Sequence, residues 1–204
     1  MAAKTVPAVA VSADEARIAS WRTLFGDDRP VELEIGTGKG TFLVRRATDH
    51  PKINFFGIEW CNEIYKYAVD RMQRRKIPNV RLLRADASLF VRTQCPANSL
   101  SVLHIYHPDP WPKKRHRKRR LIQPLFIAAA ARCLIPGGRL AIQTDHAEYF
   151  EQILAVVLAE PLLEQIEFDD PTSGVSGLRV LTNFEIKYER EGREFYRIAM
   201  RRRA

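Results

Sequence analysis

The sequence predicts an α/β fold, a mostly parallel sheet with helices on both faces. Three observations carry that prediction. From Val31 onward, short apolar strands alternate with amphipathic helical stretches, the pattern of right-handed βαβ units. The first strand runs straight into a glycine-rich turn, Gly36-Thr37-Gly38-Lys39-Gly40. The conspicuous polar residues (Glu59, Asp86, the 107–112 loop and Asp145) fall beyond strand carboxyl ends, where open sheets of this kind bind ligands.

Each element has its own signal. Residues 1–20 are rich in small residues and weakly periodic, which reads as a flexible N-terminal tail. VELEI (31–35) is the first strand, and TFLVRRAT (41–48) is the helix after its glycine turn. INFFGIE (53–59) is the second strand. NEIYKYAVDRMQRR (62–75) is a helix with Ile64, Ala68 and Met72 on one face. VRLLRAD (80–86) and SLSVLHIY (99–106) are the third and fourth strands. A helix is expected over 119–134, stopped by Pro136-Gly137-Gly138. RLAIQTD (139–145) is the fifth strand and AEYFEQILAVVLAE (147–160) the helix after it. LLEQIEFD (162–169) and REFYRIAMR (193–201) have no clear helix between them, so they are expected to form an antiparallel hairpin at one sheet edge. That makes seven strands, in a single domain over 21–204.

Composition narrows the function. Lys plus Arg number 33 against 24 Asp plus Glu, a formal charge of +9, which favours an anionic partner such as nucleic acid. No apolar run approaches the ~18 residues of a spanning helix, so no membrane is expected. The opening residues lack the long apolar stretch of a signal peptide. Cys61, Cys95 and Cys133 are far apart, which disfavours a disulfide scaffold or a zinc site and fits a reducing cytoplasm. His104 and His107 are three apart with no third ligand in view, so no metal is expected. Nothing in the sequence demands a protein partner.

The glycine turn admits three readings. A P-loop needs Ser or Thr after Gly-Lys, but Gly40 follows Lys39. A dinucleotide fingerprint needs its third glycine one residue later. The remaining reading, Glu34-Ile35-Gly36-Thr37-Gly38, resembles motif I of the class I S-adenosylmethionine-dependent methyltransferases, where the turn makes room for a sulfonium amino acid. Two carboxylates sharpen it. Glu59 ends the second strand, where an acid accepts both ribose hydroxyls of an adenosine and repels a 2′-phosphate. Asp86, followed by Ala87, comes after the third strand, where that family reads the adenine amino group. Each acid alone is equally a solvated charge or a helix N-cap. With the glycine turn before them, the cofactor reading is favoured.

The segment IYHPDPWPKKRHRKRRL (105–121) carries the reaction end. Asp109 stands between Pro108 and Pro110, so it is held extended and cannot start a helix. The prolines present its carboxylate and Trp111 in few geometries, which suits a methyl transfer that needs its acceptor in line. Seven Lys or Arg residues and His116 then fill 113–120, enough to track a phosphate backbone.

Taken in order, EIGTGKG, GIEW, RADA, PDPWPKKRHRKRRL, QTDHAEY and TNFE resemble the bacterial tRNA (guanine-N7)-methyltransferase family, from Val31 to about Arg197. The resemblance implies a Rossmann-like class I methyltransferase fold, S-adenosyl-L-methionine as donor, and the variable-loop guanine of tRNA, guanine-46, as acceptor. Carried over position by position, it makes Glu34, Gly36, Gly38, Glu59, Asp86, Ala87 and Asp109 cofactor-pocket residues, with Asp109 also catalytic. It makes Lys113, Asp145, Thr182, Asn183, Phe184 and Glu185 substrate contacts, and it places tRNA on Arg115, His116, Arg117, Lys118, Arg119 and Arg120. Asp145 would accept from guanine N1–H and the exocyclic amine, which tells guanine from adenine. Trp111 or Phe184 would stack on the extruded base. His107 departs from the aromatic residue that many members carry before Pro-Asp-Pro. Three other readings stay open: a same-fold methyltransferase acting on another RNA, a non-catalytic RNA-binding protein on a decayed methyltransferase fold, and an oxidoreductase, which the short glycine motif disfavours.

Overall fold

A computed structural model describes residues 9–12, 20–168 and 194–204 of the chain. The expected contacts Thr182, Asn183, Phe184 and Glu185 lie outside these residues. One eight-stranded sheet organises the rest. In chain order the strands are β1 (Ala10–Val11), β2 (Val31–Ile35), β3 (Asn54–Glu59), β4 (Val80–Arg84), β5 (Leu100–Tyr106), β6 (Leu134–Thr144), β7 (Leu163–Ile166) and β8 (Tyr196–Arg202). Their order across the sheet is β1-β4-β3-β2-β5-β6-β8-β7. β1 to β6 run parallel, while β8 pairs antiparallel with both β6 and β7. The chain winds outward from β2 in one direction and then, starting at β5, in the other. The gap between β2 and β5 is therefore the topological switch point where ligands bind in such sheets.

The helices are α1 (Trp21–Phe25), α2 (Thr41–Asp49), α3 (Asn62–Arg74), α4 (Ala87–Thr93), α5 (Pro124–Cys133) and α6 (Ala147–Leu158). Strand alternation sends side chains to two cores. Phe56 and Ile58 pack with Trp21, Phe90, Phe126 and Tyr149 on one face, which α1, α4, α5 and α6 cover. Phe55 packs with Leu43, Ala68 and Met72 on the other, under α2 and α3. Phe55 and Phe56 are completely buried, and each such side chain contributes about 1.5–3 kcal/mol. Gly57 lies in the Phe55 row. A Cβ there would meet Leu82, Thr37 and Leu43 at 2.6–2.7 Å, so the bare backbone lets the glycine turn settle onto β3.

Three expectations need correction. The sheet has eight strands, not seven. The added β1 pairs with β4 at Ala10↔Leu82 and Val11↔Leu83, and two residues are too short to show a period in sequence. The helix expected over 119–134 begins at Pro124. Before it, Lys114–Arg119 form a 3-10 helix, and Arg120 and Gln123 are extended, the conformation imposed on Gln123 by the proline that follows. The Pro136-Gly137-Gly138 stop lies within β6, which starts at Leu134 and shifts register opposite Leu100 and Val102. The edge pair β7 and β8 matches the expected antiparallel strands.

Candidate active site

A cleft of about 770 Å³ opens beyond the carboxyl ends of β2 to β5. Gly36, Gly38, Glu59, Asp86, Ala87 and Asp109 all line it, and so do Trp111, Lys118, Arg119 and Arg120. The sequence argument thus brings its glycine turn, three of its acids and part of its basic run to one place. Lys113, Asp145, Arg115, His116 and Arg117 are not in the cleft wall. Trp60, Ile64, Leu125 and Phe126 are also in the wall, as are His107 and Arg92, and none of them was assigned to the pocket from the sequence. Only the helical face through Ile64 gave a sequence signal. An apolar pocket residue has the same hydrophobicity as a core residue.

The glycine turn is shaped by backbone that only glycine adopts cheaply. Gly36, Gly38 and Gly40 have φ of 75°, 53° and 71°. The turn is tied down by Gly38 N–H donating to Glu59 Oε2 at 2.9 Å and Gly36 N–H donating to the Ile58 carbonyl at 2.9 Å. Glu59 Oε1 accepts from Cys61 N–H at 2.9 Å, so its carboxylate is fixed from both sides. Glu34 sits lower. It is 3% exposed, and its Oε2 has no hydrogen-bond partner. Burial, and secondarily the Glu59 charge, push its carboxyl well above the usual carboxylate range. A buried acid with an unfilled acceptor below the turn suits a cationic ligand group. Asp86 caps α4, its Oδ1 accepting from Leu89 N–H at 2.8 Å, and it also faces the cleft. The N-cap and ligand readings of Asp86 are therefore compatible.

Beneath the turn lies a buried polar network. Arg46 Nε and Nη2 donate to Glu32 at 2.7 and 2.9 Å, and His104 Nε2 lies 2.8 Å from the same carboxylate. His104 Nδ1 meets Tyr106 Oη at 2.9 Å, and Tyr106 reaches the cleft. Burial would raise the Glu32 carboxyl, but the His104 and Arg46 donors hold it down at about 2.

Asp109 is exposed at the cleft mouth. The loop that carries it is strained at both ends, with His107 at φ 52° and Trp111 at φ 41°, left-handed backbone that a bulky residue such as Trp rarely adopts. Arg120 holds this loop in place. It donates to the Pro110 carbonyl at 2.7 Å, to Gln152 Oε1 at 2.7 Å and to both oxygens of Glu148, and it lies 4.6 Å over the Tyr149 ring. Its side chain is fully buried. The expectation that Arg120 touches RNA is corrected: its donors are spent inside the protein. Arg117 also pairs with Glu148, at 3.3 Å. His116 stands edge-on to Trp111, and Arg119 lies 5.0 Å over the Trp111 ring. Lys113, Lys114, Arg115, Lys118 and Arg119 remain exposed.

Asp145 follows β6 beside the Asp109 loop, its Oδ1 3.6 Å from His107 Nδ1. Among the described residues no group of three His, Cys, Asp or Glu side chains is arranged to hold a metal. No described helix is long and apolar enough to cross a membrane.

Known proteins with this arrangement point one way. Residues 28–198 match the family model described as "Putative methyltransferase". A tRNA (guanine-N(7)-)-methyltransferase of Geobacillus thermodenitrificans is 38% identical over 197 residues, covering 94% of this chain and 88% of that protein. In three dimensions the chain is similar to the antibiotic-resistance methyltransferase Kmr, with a TM-score of 0.57 at 16% identity, covering 94% of this chain and 91% of that one. It is also similar to a Haemonchus contortus phosphoethanolamine N-methyltransferase solved with S-adenosyl-L-methionine, with a TM-score of 0.56 at 14% identity, covering 88% of this chain and 50% of that one. These structures show the fold, that of class I methyltransferases.

Proposed function

The chain belongs to the tRNA (guanine-N(7)-)-methyltransferase family, and from that membership we propose that it transfers the methyl of S-adenosyl-L-methionine to N7 of the variable-loop guanine, guanine-46, of tRNA, in the bacterial cytoplasm. One observation carries the reading. An acid-lined pocket built on a glycine turn opens directly onto a stiff Pro-Asp-Pro loop with a basic rim.

The residues fit the donor. Gly36 and Gly38 leave room for its amino-acid end, and Glu34 offers a buried acceptor to a cationic group. Glu59 and Asp86 serve its ribose and base, between apolar walls supplied by Trp60, Ile64 and Leu125. When bound, S-adenosylmethionine supplies an electrophilic methyl. Guanine N7 carries a lone pair and no proton, so the chain need furnish no general base. Its task is to hold N7 in line and exclude misaligned acceptors. Asp109 faces the positive charge that grows on the guanine ring, a preorganised electrostatic role. Asp145 takes the N1–H and exocyclic amine of the same base, and Trp111 offers a stacking surface worth about 1–3 kcal/mol. Lys113, Lys114, Arg115, Lys118 and Arg119 hold the phosphates. Thr182, Asn183, Phe184 and Glu185 are assigned to the substrate by family resemblance alone.

The test is methyl transfer from labelled S-adenosylmethionine to unmodified tRNA transcripts with guanine or adenine at the target position. N7-methylguanine made only on the first establishes donor, acceptor and site. Label on neither, despite cofactor binding, would refute the substrate and favour another RNA.

A further inference from the structure

Beyond the reaction residues, an ordered chain of side chains runs behind Asp145. Arg197, on β8, donates from Nε to Gln143 Oε1 at 2.8 Å. An arginine nitrogen can only donate, so the oxygen of the Gln143 amide must face it. The Gln143 Nε2 then faces His107, 2.9 Å from its Nε2. An amide nitrogen is likewise only a donor, so His107 Nε2 is the acceptor. A neutral imidazole accepting at Nε2 carries its proton on Nδ1. That atom points at Asp145 Oδ1, 3.6 Å away, about half an ångström beyond hydrogen-bond length.

The surroundings fix this arrangement. Gln143 is buried in β6, and the His107 side chain is 5% exposed. The His107 backbone N–H donates to the Gln143 carbonyl at 2.8 Å, and Phe195 stands edge-on to its ring at 5.7 Å. His107 is held at φ 52° at the start of the loop that carries Asp109. One residue thus touches both the loop of the reacting acid and the acid beside it.

We infer that His107 is a positioning residue, whose Nδ1–H orients the Asp145 carboxylate for the Watson–Crick edge of the target guanine. The inference rests on the reading of Asp145 as the guanine contact. His107 also lines the cleft, but its two ring nitrogens face Gln143 and Asp145, so it acts through Asp145. It acts by turning one carboxylate so that both oxygens meet the two donors of guanine, and Arg197 and Gln143 set its tautomer from behind.

The test uses the full chain and two tRNAs, one with guanine and one with inosine at the target position. Inosine keeps N1–H and lacks the exocyclic amine, so the preference for guanine reports the second contact. It should be about tenfold in kcat/KM, the size of one base-edge contact. His107→Asn keeps a donor near the Nδ1 position and loses Gln143. His107→Gln keeps an acceptor, its amide oxygen, near the Nε2 position for Gln143 and loses Asp145. We expect H107N to retain the guanine preference and a near-normal KM for tRNA. We expect H107Q to lose most of the preference and raise KM about fivefold, with melting temperatures that do not follow the same order. A nitrogen NMR spectrum of the histidines should show the Nδ1–H tautomer at His107, altered in D145N. D145N should itself abolish the preference. If D145N abolishes it while H107Q keeps it, or if His107 carries its proton on Nε2, the inference is overturned and the Asp145 reading stands. If D145N keeps the preference, the Asp145 reading fails and takes the inference with it.

Discussion

Arg120 separates a phosphate contact from a structural clamp, and the two make opposite predictions. Consider Arg120→Met, which keeps the bulk of the stem and removes every donor. The side chain is fully buried, and two of its bonds go to neutral acceptors, the Pro110 carbonyl and Gln152 Oε1, at 2.7 Å each. Hydrogen bonds from a charged donor contribute about 1.5–3 kcal/mol each, so losing both costs about 3–6 kcal/mol before any relaxation. In a chain of this length that lowers Tm by roughly 6–24 °C. The tRNA affinity should then be read as log Kd against log salt. Of the eight positions in 113–120, five keep exposed cationic side chains, which contribute a slope of about 4. R120M should leave that slope unchanged, whereas Lys118→Ala or Arg119→Ala should each lower it by about 0.7–0.9 and leave Tm within about 1 °C. An R120M protein with wild-type Tm and a shallower slope would refute the clamp.

Other perturbations test other parts. Asp109→Asn should lower kcat by at least about tenfold with little change in tRNA affinity, measured by single-turnover methylation and filter binding; normal turnover would remove Asp109 from the chemistry. Gly57→Ala forces a Cβ against Thr37, Leu43 and Leu82, so it should cost about 1–3 kcal/mol and weaken cofactor binding through the displaced turn, as read by melting with and without S-adenosylhomocysteine. Burial and the Glu59 charge raise the Glu34 carboxyl well above its usual range, and a cationic group bound beside it should lower it, so binding should release protons and tighten as pH rises; calorimetry in buffers of different ionisation enthalpy that shows no release would refute that contact. Arg46→Met strands the Glu32 carboxylate and should cost about 3–5 kcal/mol at pH 7. Glu32 is depressed from 4.5 to about 2, so its stabilisation is complete above pH 4.5 and fades as pH falls toward 2; the R46M deficit should therefore be smaller at pH 3 than at pH 7 in urea melts.

What the sequence made legible follows from physical scale. β2 to β5 and the glycine turn were readable because each has a strong local signal: an apolar run, then residues that tolerate positive φ. The alignment of Glu59, Asp86 and Asp109 at one edge then followed from parallel topology alone. The 3-10 helix at Lys114–Arg119 was not readable, because its run of cations has no apolar face to set a period. Arg120 was unreadable for a different reason. It ends a run of cations and looks like the rest of that run, and only Glu148 and Gln152, from α6, and the Pro110 carbonyl show that it points inward. His107 stood out as a departure, yet its proposed role depends on Gln143, on the neighbouring strand β6, and Arg197, on β8 beyond it.

The placement of charge links these observations. The molecule carries a surplus of +9, yet acids line its cleft: Glu59 and Asp86, with Asp109 at the mouth and Glu34 buried beneath the turn. A uniformly basic cleft would attract RNA but repel a sulfonium donor. A uniformly acidic one would do the reverse. Here the cations at the mouth come from the 3-10 segment, Lys118 and Arg119 among them, with Arg92 the other cation of the wall, and Arg120, next in the chain, turns inward to fix the loop between the two zones. On the proposed function, the phosphates would be held several residues from the carboxylates they would repel, and Asp109 stands where the zones meet. Moving the basic run deeper would strengthen RNA binding at the expense of the donor. The clamp on Pro110 is what keeps that boundary in place.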